Sequence, residues 1–189
     1  MLLAWFKTLI ASVFRISNSK KVTSSAGITN TYPQQSAFEE HMTAQDTGLS
    51  IPFYPSLINH LEMDHKHLLD LYTQIAHTLS SKEYQLITTQ LLDFKAALKD
   101  HLESENIKFY GYLEQSLKHQ TQQFTALRHF RKEMRSIERT VIKFLDYWIE
   151  NGVDRFSAHQ FESEYQTIGA ALVKRIESEE RELYTMYAA

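Results

Sequence analysis

Cysteine is absent from this 189-residue chain, which removes disulfides, thiolate zinc sites and thiol nucleophiles from consideration. That suits a reducing cytoplasm. Five glycines and three prolines leave almost no material for phosphate-cradling loops or tight hairpins, so a chiefly helical chain is expected. No excess of basic residues exists either: the formal net charge is -3, and nucleic acid is set aside as a partner. Nor is there an apolar run of the roughly 20 residues that a bilayer-spanning helix needs.

The hydrophobic fraction, 43%, is enough for one globular core. Residues 1–16, "MLLAWFKTLIASVFRI", place Leu2, Trp5, Phe6, Leu9, Ile10, Val13 and Phe14 on one helical face, opposite Lys7 and Arg15. A signal peptide carries its positive charge ahead of the apolar run rather than inside it. The expectation is an amphipathic helix that contacts a membrane interface through Trp5, Phe6 and Leu9, with docking on a protein or on its own bundle as alternatives. This would make the protein cytoplasmic, peripheral at the inner membrane face if the helix binds lipid. Residues 17–51, rich in Ser, Thr, Asn and Gln and without sustained period, read as a flexible linker, and the domain is expected over 52–189.

Four apolar stripes follow. They run Leu57–Leu79, Tyr84–Phe109, Leu127–Trp148 and Tyr165–Met186. Their connections, near 80–83, 118–123 and 151–160, are short, so successive helices should lie antiparallel. The fold class is therefore all-α, an up-down-up-down four-helix bundle. Ser80 or Ser81, and Asp154 or Ser157, are candidate N-caps.

Polar residues interrupt the stripes. His65 lies between Leu61 and Leu68; His101 and Glu105 follow Leu98; Arg175 and Glu179 follow Leu172; Arg131 flanks Phe130. The second and fourth stripes end in near-copies, "HLESENIKFY" at 101–110 and "RIESEERELY" at 175–184, with Arg175 standing where the first copy has His101. Charges on inward faces are too costly to leave isolated, so these groups should meet one another. His119, His129 and His159 fall near connections and read as surface residues. Tyr110, Tyr112, Tyr184 and Tyr187 read as the core edge at one bundle end.

"MDHKHLL" (63–69) and the two copies resemble the signature of hemerythrin-like proteins, whose bundles hold a non-haem di-iron site. The resemblance implies metal ligation by His65, His101, Glu105 and Glu179, and it implies imidazoles where this chain has Arg131 and Arg175. A weaker resemblance, through 65–72, 91–113 and 168–176, is to regulator-of-sigma-D anti-sigma factors, which implies a sigma-factor partner. A guanidinium has no lone pair to offer a metal. A divalent ion about 5 Å from one costs on the order of 6 kcal/mol at an effective dielectric near 20. The expectation is a metal centre partly lost, with Arg131 and Arg175 answering Glu105 and Glu179. No cofactor is then required; one Fe or Zn ion, or a di-iron pair, are the alternatives. No catalytic grouping is evident, so a regulatory or sensory binding protein with a protein partner is expected rather than an enzyme.

Overall fold

The structure is a computed structural model that describes residues 50–187. The expected amphipathic helix at 1–16, with Trp5, Phe6 and Leu9, and nearly all of the expected linker lie outside the described residues. Five α-helices build the bundle: α1 (Leu57–Ser80), α2 (Tyr84–Ser104), α3 (Gly111–Ser116), α4 (Thr121–Asn151) and α5 (Ala158–Ser178). A π-helical stretch, Glu105–Tyr110, joins α2 to α3 without breaking the rod, so the two act as one arm of the bundle. A second, Glu179–Leu183, extends α5 and passes into a 3₁₀ turn at Tyr184–Met186. α1 packs on α2, α2 on α4, α4 on α5 and α5 on α1, which closes a ring of four. Among the described residues no helix is long and apolar enough to cross a membrane.

The stripes face inward as their period requires. Leu61, Ile75, Ile87, Leu91, Leu127 and Phe161 are fully enclosed, and Phe130 and Ile137 on α4 are half-buried. Two apolar clusters form, one around Leu68–Leu79, Ile87–Leu102, Val141–Trp148 and Phe161–Ile176, the other around Leu57, Leu61, Phe109, Leu113, Leu183 and Tyr187. Between them the helices carry a polar layer: His65, His101, Glu105, Arg175 and Glu179, all buried. The residues before the first helix close one bundle end. Ile51 donates its N–H to Gln115, and the Tyr54 N–H is donated to the Tyr187 hydroxyl.

Capping differs from expectation at the first turn. Ser81 ends α1, Glu83 precedes α2, and Ser80 donates its hydroxyl to the His77 carbonyl, so neither serine caps α2. Lys82, with φ 61°, makes the reversal instead. Before α5, Asp154 accepts the N–H groups of Phe156 and Ser157, and this holds its carboxyl below the ordinary range.

Next to the polar layer, Tyr72 and Tyr165 stack with ring centroids 4.1 Å apart, and each donates its hydroxyl to the other's backbone carbonyl. Gly169 admits the Tyr72 ring: a methyl there would stand 2.1 Å from the hydroxyl oxygen and 2.5 Å from Cζ. Alanine normally favours a helix over glycine by about 1 kcal/mol. At this site the overlap outweighs that gain, so Gly169→Ala should lose about 1–3 kcal/mol. An unchanged or higher urea midpoint would show that the close approach does not constrain the core.

Candidate metal centre

The spacing of the inward residues explains the π turns. His101, Glu105, Phe109, Leu113 and Leu117 recur every four residues, and so do Arg175, Glu179, Leu183 and Tyr187; all are buried. In a straight α-helix each step of four drifts about 40° around the axis. Widening the helix at Glu105 and Glu179 absorbs the drift and keeps both carboxylates and the residues beyond them pointing inward. π turns occur frequently at functional sites, and here each begins at a glutamate of the polar layer.

Arg175 joins the two arms. Its Nε donates to Glu179 Oε1 at 2.6 Å and its Nη2 donates to Glu105 Oε2 at 2.5 Å. His65 faces the same carboxylate from α1, with Nε2 3.2 Å from Glu179 Oε2, while its Nδ1 lies 3.0 Å from Glu180 Oε1. The Tyr184 hydroxyl is 3.3 Å from His65 Nε2, and the two rings stack at 5.8 Å. His101 lies against His65, 4.8 Å between centroids, with Nδ1 3.6 Å from Asp64 Oδ2, an ion-pair distance too long for a hydrogen bond. A cavity of about 20 Å³, room for roughly one water molecule, opens among His65, His101, Arg175 and Glu179 and the apolar side chains below them.

The second arginine is elsewhere. Arg131 pairs with Glu114 and lies over the Tyr110 ring, 5.3 Å from its centroid. It bonds neither glutamate of the polar layer, because α4 carries it to the rim of the bundle where Glu114 of α3 intercepts it. The balancing cation is instead His65. Burial opposes its charge, but Glu179 and Glu180 outweigh that and raise its pKa to about 9. Burial and the neighbouring charge of Glu179 push Glu105 up to about 8 against the pull of Arg175. Glu179 goes the other way: burial is overcome by Arg175 and then His65, which hold it at about 2. Burial lowers His101, against the opposing pull of Asp64. At neutral pH the layer thus holds a guanidinium, an imidazolium, the carboxylates of Glu179 and Glu180, and a proton on Glu105. The charges cancel.

Glu180 and Tyr184, both on His65, and Asp64, beside His101, were not expected as site residues. Glu180 had a visible signal, since it replaces Asn106 at the equivalent place in the other copy and doubles the acid beside Glu179. His119, His129 and His159 are exposed, and Tyr110, Tyr184 and Tyr187 are buried at the core edge.

Two metal ions do not fit these residues. Arg175 has no lone pair, it already spans both glutamates, and among the described residues the convergent metal-type donors are limited to His65, His101 and Glu179. A single ion meets a better set. Those three ligand atoms lie within 4.8 Å of one another, and Glu179 Oε2 and His101 Nδ1 have no hydrogen-bond partner. Tetrahedral ligation at bond lengths near 2.1 Å separates ligand atoms by about 3.4 Å, so the set would have to close, and His65 would have to give up its Nε2 proton.

For the metal-free chain the pH dependence has a definite sign. His65 rises from 6.5 to about 9 on folding, so its contribution is complete below pH 6.5 and is lost as pH climbs through 9. Glu105, raised to about 8, acts in the same direction, and Glu179, lowered to about 2, costs stability only as pH falls below 4.5. Stability should therefore fall between pH 6.5 and 9 by up to about 3 kcal/mol from His65. His65→Gln should flatten that limb. A denaturation series that stays level or rises over this range would contradict the imidazolium assignment.

No curated protein and no solved structure matches the chain. The family model for the hemerythrin HHE cation-binding domain matches residues 56–187, which takes in all five described helices and the whole polar layer. A closed four-helix ring with His65, His-x-x-x-Glu on one arm and Arg-x-x-x-Glu on the other is what that match covers, and the chain belongs to the hemerythrin HHE cation-binding family.

Proposed function

We propose that this protein is a non-enzymatic regulator that uses the cation-binding bundle as a partner-binding scaffold, with internal cations in place of the metal pair. The observation that carries this reading is Arg175 held between Glu105 and Glu179 at 2.5 and 2.6 Å. A permanent charge in that position answers the carboxylates that a metal would otherwise neutralise. His65, charged between Glu179 and Glu180, supports the same reading from the opposite helix. No nucleophile with an adjacent base lines the 20 Å³ cavity, and its size leaves no room for an organic substrate. The protein partner is expected to be a regulated factor. A sigma factor is the variant of this reading that a pulldown against the principal sigma factor tests directly, and absence of retention removes it.

A second reading is favoured by a specific observation. The convergence of His65, His101 and Glu179, with two of their atoms lacking hydrogen bonds, supports one Fe(II) or Zn(II) ion beside Arg175. Elemental analysis of protein purified without chelators separates the readings. Well below one equivalent of metal supports the arginine network, one equivalent supports the single ion, and two irons per chain would overturn both.

Two substitutions extend the test. Arg175→Met should cost about 3–5 kcal/mol in a urea denaturation series, because it leaves the buried Glu179 carboxylate without its guanidinium and Glu105 without its donor. Arg175→His should raise Zn²⁺ or Fe²⁺ affinity at least about tenfold, since it restores a lone-pair donor while removing a repelling charge. Calorimetric titration showing no gain would remove the claim that the guanidinium excludes the metal.

A further inference from the structure

The α4 helix carries a row of cations that the polar layer does not use. Arg128, Lys132, Arg135 and Arg139 follow at i, i+4, i+7 and i+11, all exposed, and span about 16 Å of helix. Among the described residues none of the four pairs with a carboxylate; the only bond from their side chains is from Arg139 Nε to the Arg135 carbonyl. The neighbouring acids are engaged elsewhere or too few: Glu133 binds Lys174, and Glu114 binds Arg131. The row lines a broad groove of about 1280 Å³, walled on the far side by Asn106 and Glu114 and containing five arginine and lysine side chains against two carboxylates. This concentration of positive charge belongs to a chain whose net charge is -3.

We propose that this groove binds an acidic α-helix of a partner protein, one whose carboxylates recur at i, i+4, i+7 and i+11. The inference rests on the reading of the chain as a partner-binding regulator and names the chemistry of the partner. Two features select a helix over an anionic bilayer. The surface is concave, with a wall formed by the arm that contains Asn106 and Glu114, whereas a flat lipid surface would reach only the outer cations. The charges also follow helical spacing, so a second helix laid alongside presents its acids in register with them. Arg131, fixed by Glu114 and Tyr110, forms the floor of the groove and leaves the outer four cations to the partner.

The test uses the full chain and a fluorescein-labelled 18-residue helical peptide with glutamates at that spacing. An isomer with the same glutamates scattered around the helix serves as the comparison. Anisotropy in about 50 mM salt should give at least tenfold tighter binding of the striped peptide, and the affinity should fall steeply with added salt. The double variant Lys132→Glu, Arg135→Glu should weaken binding at least tenfold with an unchanged thermal melt, because both residues are exposed. Equal binding of the two isomers overturns the proposal, as does no binding of either. Phosphatidylglycerol vesicles that bind the wild type and not the double variant, without peptide preference, would assign the row to lipid and overturn it too. Metal content remains a separate measurement: low metal with no peptide binding sinks the groove alone, and two irons with striped-peptide binding sinks the metal-free reading alone.

Discussion

The bundle is organised around one guanidinium. Arg175 enters a layer where two glutamates from different arms face each other in an interior closed off by apolar clusters on both sides. Either carboxylate alone would be costly to bury as an ion, and the two together would repel. A planar cation with two separate donor edges can hold both at once, and that geometry is particular to arginine. Such a network does not have to stabilise the fold relative to an apolar core of equal volume. What it does is fix the relation of the two arms, since Nε addresses the glutamate one turn along its own helix and Nη2 reaches across to the other.

Local backbone geometry makes that reach available. The two π turns start at the glutamates and keep a four-residue repeat facing the axis that an ordinary α-helix would rotate away. Because the turns lie at matching places in the two sequence copies, the arms present their carboxylates as counterparts. Among the positions where the copies differ, His101 against Arg175 is the one that determines which cation lies between the glutamates. On the His101 side the imidazole is left with its Nδ1 unbonded near Asp64; on the other side Arg175 bonds one oxygen of each carboxylate, while Glu105 Oε1 and Glu179 Oε2 accept no hydrogen bond.

Most of the fold was legible because it depends on periodicity. The four stripes, their short links and the inward place of His65, His101, Glu105, Arg175 and Glu179 follow from residue spacing alone. The identity of the second cation was not, because an arginine at the edge of a stripe can lean to either side. The choice for Arg131 was made by Glu114 and the Tyr110 ring, groups on other segments. Histidine charge was hidden for a similar reason. Nothing in "MDHKHLL" says that Glu180, more than a hundred residues later, will meet the far nitrogen of His65. The first-turn cap failed differently: Lys82 takes the left-handed turn without glycine, which no propensity argument would favour.

The two cations of the layer are not equivalent, and the difference governs what the site can exchange. Arg175 keeps its charge at any accessible pH, so the half of the layer it occupies is closed to metal as a matter of charge and of missing lone pairs. His65 carries its charge as a proton that can leave, and when it leaves, a donor nitrogen opens toward Glu179 and His101 within the same small cavity. A metal ion would have to compete with that proton for one place, with acid favouring the proton and rising pH favouring an ion. The layer thus sets a titratable cation beside a permanent one, and the residue at position 175 determines whether a lone-pair donor or a fixed charge stands between Glu105 and Glu179.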